Sequence, residues 1–236
     1  TTSVTVQIGD TSETISLVDH VNLLSNGDIS ADISGTWTGT ATSGTDGAVN
    51  VENAAGETRG GLDTNALHLT GKGMVSKRYT QTVTVSGTAG DIFTFGGWAK
   101  AATVPLDSAS METRTDYPRR AGIAVTLYNG TTAAGTSYVP VNEDVHYWQF
   151  LSGKLTATGD YTSVEYAFVY ENNGNEAWFD GAQLFREPFD YVYTYDDDGN
   201  LTSVKNPDGT TTTYTYVEGT SDVATITMPG GGQYSY

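Results

Sequence analysis

The chain has 236 residues, with 28 Asp and Glu against 11 Lys and Arg, a formal net charge of −17, and no cysteine. Such a balance argues against nucleic acid and anionic membrane surfaces as partners, because both need Lys/Arg clusters. The missing cysteine removes disulfides, zinc–thiolate sites and thiol nucleophiles together.

The length suits one sizeable β domain plus something smaller. Thr, Gly, Val and Tyr are abundant, and good helix formers never fall into a sustained helical period, so the expected class is all-β. No apolar stretch approaches a membrane span, so membrane insertion is not expected. Thr1 does not begin a signal peptide, and the chain reads as an excised piece of a longer parent chain.

In chain order, residues 1–20 predict a hairpin around Gly9-Asp10, or the tail of a preceding domain. Asn22–Ser34 predicts a strand broken at Asn26-Gly27-Asp28. Trp37, between Gly and Thr residues, reads as a plug under a sheet end. Residues 39–65 read as a long exposed loop with at most one short strand. Alternating runs at 66–70, 79–86 and 91–101 predict strands. Residues 102–120 break the pattern with two prolines, three arginines and Tyr117, and functional residues gather on such irregular segments. Strands at 122–128 and 137–141 follow, then three more at 147–156, 163–170 and 177–185. About eight to ten regularly spaced strands suggest an antiparallel β-sandwich or jelly roll.

Period-2 alternation assigns faces. Ile123, Val125 and Leu127 point inward, leaving Ala124, Thr126 and Tyr128 outward. Val164, Tyr166, Phe168 and Tyr170 share one face, and Glu165, Ala167 and Val169 the other. Thr80, Thr82 and Thr84 point outward. Trp98 and Trp148 lie in otherwise apolar strands and are expected in the core.

After Phe185 the texture changes to an internal repeat. Tyr193-Thr-Tyr195-Asp196 is answered by Tyr214-Thr-Tyr216, Leu201-x-x-Val204 by Val223-x-x-Ile226, and Pro207-Asp-Gly209 by Pro229-Gly-Gly231. Each unit predicts a β-hairpin that cannot bury its own face and must stack on neighbours.

This tail resembles the tyrosine–aspartate (YD) repeats of Rhs-type and wall-associated bacterial surface proteins, through Tyr193–Asp196, Gly199-Asn200-Leu201 and Pro207-Asp208-Gly209. Residues 22–186 resemble the carbohydrate-binding module superfamily containing families 4, 9 and 22. The matching pieces are Asn22-Leu23, Asn26-Gly27-Asp28, Trp37, Ala66-Leu67, Tyr79-Thr-Gln81, Phe95, Trp98–Ala101, Trp148, Ser152-Gly153 and Phe179-Asp180 with Leu184. The two resemblances support each other, since such modules occur ahead of YD repeats in Gram-positive exported proteins. The resemblance implies a jelly roll of two antiparallel sheets that binds glycan on a concave sheet or at its rim. Expected divisions are 1–20 for the leading hairpin, 21–187 for the jelly roll and 188–236 for two C-terminal β-hairpin repeats.

With that strand order, the strands at 79–85, 122–129, 136–142 and 163–171 share one sheet. Tyr128, Tyr138 and Glu165, rimmed by Tyr117 and Arg119, then form the candidate glycan site. The alternative makes Tyr128 and Tyr138 ordinary half-buried sheet tyrosines. The resemblance also implies a structural calcium held by Asp28, the Asn65 carbonyl and Asp180, although Ser30 stands where an acidic residue is frequent. Hard oxygen ligands suit calcium. Without calcium, Asp28 is a turn residue and Asp180 a hydrogen-bonded cap.

Enzymatic signatures are absent from the sequence: His20, His68 and His146 are scattered, with no nucleophile elbow, zinc-protease motif or phosphate loop. The expectation is a non-catalytic, extracellular or cell-wall-associated module that binds cell-wall or plant polysaccharide. The alternative is a structural module bracing a YD-repeat shell.

Overall fold

The computed structural model describes all residues except 1–2, 9–10, 17–20, 30–31, 52–64, 102–118, 143, 188–190 and 207–209, and for 3–8 and 11–16 it describes the backbone. Among the described residues there are 17 strands and no helix. They form four sheets. The fold is an all-β antiparallel sandwich followed by a β-meander. Contacts divide the chain into two compact units, Thr1–Arg186 and Glu187–Tyr236.

At the start, β1 (Ser3–Ile8) and β2 (Thr11–Ser16) pair antiparallel, Ser3 opposite Ser16 and Ile8 opposite Thr11. The first sandwich sheet runs β3 (Thr38–Thr40), β6 (Ser76–Gly87), β11 (Tyr161–Glu171), β8 (Arg120–Asn129), β9 (Thr132–Pro140). The second runs β10 (Gln149–Thr156), β7 (Ile92–Ala101), β12 (Glu176–Phe185), β5 (Asn65–Thr70), β4 (Gly47–Asn50). The stretch expected to carry at most one short strand thus contributes two, β3 and β4. Each is an edge strand paired on one side, where a few Gly- and Thr-rich residues suffice and no apolar alternation is needed.

Alternation places the core. Ile123, Val125, Leu127, Val164 and Phe168 of the first sheet, and Leu67, Leu69, Phe93 and Phe179 of the second, are completely buried. Phe168 stacks on Phe179 across the sheets at 4.9 Å. Trp37 plugs this layer as expected, 5.3 Å from Phe168, with its indole N–H donating to the Asn26 carbonyl at 3.0 Å. Each such buried aromatic contributes about 1.5–3 kcal/mol. Tyr166 is also fully buried, and its hydroxyl donates to the Gly96 carbonyl at 2.9 Å. Burial pushes its phenol well above the ordinary value. Gly97 makes room for it, since a Cβ there would sit 2.8 Å from the Tyr166 oxygen.

The segment ahead of β3 is tied to β12. Leu23 N donates to Leu184 O at 2.8 Å, Leu184 N to Asn22 Oδ1 at 2.9 Å, and Ala182 N to Gly27 O at 2.7 Å. The tie falls where β12 shifts register against β7 between Asp180 and Gln183, with Gly181 at a φ of 57°. Such a bulge frees backbone groups for an outside partner, and Asn22–Gly27 takes them.

In the second unit, β13 (Val192–Tyr195), β14 (Leu201–Lys205), β15 (Thr211–Tyr216), β16 (Val223–Thr227) and β17 (Gln233–Ser235) pair in chain order. The first turn explains the Asp-x-x-Gly-Asn spelling. The Asp196 carboxylate accepts from Asn200 N at 2.7 Å and Asn200 Nδ2 at 3.0 Å, while Gly199 takes a φ of 84°. Asp supplies the acceptors and Gly the left-handed backbone. Tyr191, Tyr193, Tyr195, Tyr234 and Tyr236 are all exposed, in keeping with hairpins that do not bury their own faces.

Candidate functional site

The strands at 76–87, 120–129, 132–140 and 161–171 share one sheet, as the expected strand order requires. On its outward face, Glu165 lies opposite Thr126 on β8 and Thr82 on β6, and Thr126 lies opposite Thr136 on β9. In the next row Ser163 stands between Tyr128 and Thr84. Glu165 and Tyr128 are half-buried, and Thr82, Thr84 and Thr136 are exposed. This half of the face is open, hydroxyl-rich and centred on one carboxylate. At its β3 edge, a hollow of about 390 Å³ is lined by Ser25, Thr36, Thr38, Thr80, Gln81 and Thr82. Gln81 shapes it by clasping Ser25, with 2.7 Å and 2.9 Å bonds to its N–H and carbonyl.

The other half of the face is built differently. Tyr138 lies opposite Ala124, its hydroxyl donates to Ala121 O at 3.1 Å, and Arg120 stacks over its ring at 4.2 Å. Arg120 Nη1 reaches Glu171 Oε2 at 3.4 Å, and Arg78 Nε donates to Glu171 Oε1 at 2.6 Å. Burial pushes the Tyr138 phenol above its ordinary value, partly offset by Arg120. Ala124, Ala167 and Val169, outward by alternation, are buried here and pack with Tyr138. Alternation identifies the side of the sheet and says nothing of what covers it, so this end is sealed where the sequence suggested an open groove. Arg119 is half-buried just before Arg120, at the Glu171 end of β8, so the expectation that it rims Glu165 and Tyr128 is corrected: the strand carries those two to its other end. Tyr117 lies outside the described residues.

The outward face of the second sheet carries aromatic residues that sequence reasoning missed. Parity along β7 settles Trp98: Phe93, Phe95 and Ala99 are core, so Trp98 and Lys100 point away from it. The expectation of a core Trp98 is therefore corrected, while Trp148 is buried as expected. Trp98 meets Phe150 edge-on at 5.4 Å. Gly96 lets Phe150 lie close, since a Cβ there would be 2.8 Å from the ring. Trp178 lies opposite His68 on β5 and Lys100 on β7. It stacks on the His68 imidazole at 5.3 Å and 29°. His68 is fixed by the Thr45 carbonyl on Nδ1 at 2.9 Å and by Glu176 Oε1 on Nε2 at 3.3 Å.

Of the residues implied for calcium, Asp28 is exposed, Asn65 opens β5, and Asp180 is completely buried at the β12 bulge. Asp180 Oδ1 accepts from Gly181 N at 2.7 Å. Asp180 stands at the bulge to which Gly27 O is tied by the Ala182 N–H. Calcium takes about six to eight oxygens, and among the described residues no three His, Cys, Asp or Glu side chains converge. Backbone carbonyls and water would have to supply the balance.

No curated protein matches the chain in sequence. Solved structures similar to it include the enzymatically active domain of bacteriophage CBA120 tailspike protein 4, at 16% identity and TM-score 0.48, covering 71% of this chain and 22% of that one. This chain thus spans less than a quarter of that longer protein. A Stig cyclase from Fischerella sp. TAU is similar at 12% identity and TM-score 0.48, covering 71% of this chain and 97% of the cyclase. A family 16 carbohydrate-binding module is similar at 16% identity and TM-score 0.46, covering 69% of this chain and 99% of the module. Residues 195–233, which run from the last residue of β13 through β14, β15 and β16 to the first residue of β17, match the RHS repeat family.

Proposed function

We propose that residues 21–187 are a non-catalytic carbohydrate-binding module in a secreted or cell-surface protein carrying RHS repeats. The observation that carries this reading is Glu165, half-buried at the centre of an open sheet face and flanked in register by Thr82 and Thr126, with Tyr128 one row away. A carboxylate and several hydroxyls fix sugar hydroxyls, and a tyrosine ring packs on a sugar C–H face. Glu165 accepts from the sugar, Tyr128 stacks on it, and Tyr138 braces the sealed end. The ligand class is a cell-wall or plant polysaccharide. A glycan-array comparison of wild type with Tyr128→Ala and Glu165→Gln tests this. Loss of binding in both variants supports the site, and unchanged binding in both overturns it.

A structural calcium at Asp28, the Asn65 carbonyl and Asp180 belongs to the same proposal. It is supported by the buried Asp180 carboxylate beside the tie between Asn22–Gly27 and β12.

A further inference from the structure

The outward face of the second sheet holds a cleft of about 400 Å³ lined by Val49, Asn50, Val51, His68, Lys100, Glu176 and Trp178. Its floor is aromatic: the Trp178 indole is braced on one side by an imidazole, stacked at 29°, that two further contacts immobilise. Val49 and Val51 make one wall apolar. Polar groups of both signs surround the floor: the Glu176 carboxylate, whose side chain is 49% exposed, and the Lys100 ammonium, directly across the strand pair from Trp178. One acid and one base leave the cleft with no demand for a charged ligand. An aromatic floor with donors and acceptors around it suits a ring that has an apolar face and a hydroxylated edge.

We propose that this cleft binds a neutral pyranose unit, stacked on Trp178 and hydrogen-bonded at its edge to Glu176, Asn50 and Lys100. Trp98 is the diagonal neighbour of Trp178 across β7 and β12, about 7–8 Å away, and Phe150 meets Trp98 in turn. The row Trp178, Trp98, Phe150 gives a neutral oligosaccharide a path across three strands. The site is separate from the Glu165 face and rests on the carbohydrate reading for its ligand class alone.

The experiment titrates cellohexaose, xylohexaose, galactotriose, chitohexaose and trigalacturonate into the full chain, followed by calorimetry and tryptophan emission. Trp37 and Trp148 are buried while Trp98 and Trp178 are half-buried, so a sugar on this row changes emission. At least one neutral oligosaccharide is expected to bind. Trp178→Ala should weaken it at least tenfold, and Trp178→Phe, which keeps a ring, should weaken it less. If Trp178→Ala does not fold, Glu176→Gln on the exposed rim carries the test, with an expected tenfold loss. No binding of a neutral probe, tightest binding of trigalacturonate, or full affinity in the Trp178 and Glu176 variants would each overturn the proposal. The double variant Tyr128→Ala/Glu165→Gln separates the two sites. Binding lost there but kept in Trp178→Ala sinks the cleft and leaves the Glu165 face standing, and the reverse pattern does the opposite.

Discussion

Arg120 stacks its guanidinium 4.2 Å over the ring of Tyr138 and thereby covers the face a sugar would need. The phenol is held by its bond to Ala121 O. Tyr138→Phe should therefore cost about 0.5–1.5 kcal/mol of stability, the value of one lost hydrogen bond, and leave glycan affinity unchanged. Loss of binding in a variant that melts like wild type would contradict this bracing role.

Glu171 joins Arg78 and Arg120, and its side chain is 6% exposed. Both arginines remain about a third exposed, so water limits what the pairs contribute. Glu171→Ala should destabilise the sandwich by about 1–3 kcal/mol in urea unfolding. A change below about 0.5 kcal/mol would show that the network holds no load.

Two partly buried carboxylates contribute to the acid response. Burial opposes the charge on Asp46, but Lys77 at 2.7 Å and bonds from Thr70 and Ser43 outweigh it, so its carboxyl stays below the ordinary value. Burial likewise opposes the charge on Asp91, and Tyr161 at 2.7 Å, Thr88 and Arg186 outweigh it. The unfolded groups titrate near about 3.9. A folded value below the unfolded one gives stability that is complete above that range and lost as pH falls through the depressed values. Thermal melts should be flat from pH 7 to about 5 on this account and fall steeply below about 4. Asp46→Asn should flatten the acid limb, and a limb of unchanged steepness would rule Asp46 out.

Gly27 lies against the β12 bulge so closely that an added Cβ would meet the Ala182 carbonyl oxygen at 2.3 Å. Gly27→Ala should therefore break the 2.7 Å bond from Ala182 N to the Gly27 carbonyl. The expected cost is about 1–3 kcal/mol. The readout is faster amide exchange at Ala182 and Leu184, and unaltered protection there would refute the pinning role.

If calcium occupies the Asp180 region, a chelator should lower the melting temperature of wild type and not that of Asp180→Asn. Equal melts with and without chelator would remove the ion from the account.

Much of this architecture was legible from period-2 alternation. Ile123, Val125 and Leu127 are buried as read, the strand at 177–185 is found at Glu176–Phe185, and Trp37 is a plug. Alternation depends on side chains facing a core, so it allowed at most one short strand where β3 and β4 lie, whose residues are half-buried or exposed edges. It also specifies a side without saying what covers it, which is why Val169 is outward and yet fully buried. Trp98 was readable and misjudged: its parity against Phe93 and Phe95 already turned it outward. The Trp178–His68 floor was not readable, because it arises from the register of β12 on β5. Register between strands more than a hundred residues apart leaves no mark in either segment alone.

Carbohydrate binding on the sheet faces of the sandwich is tested by an amide chemical-shift titration of the wild-type chain with the same oligosaccharides. Saturable shifts are expected in the outward residues of β6, β8 and β11 around Glu165, in the cleft around Trp178, or in both, and nowhere else. Spectra that stay unchanged at saturating concentrations of every oligosaccharide would contradict such binding.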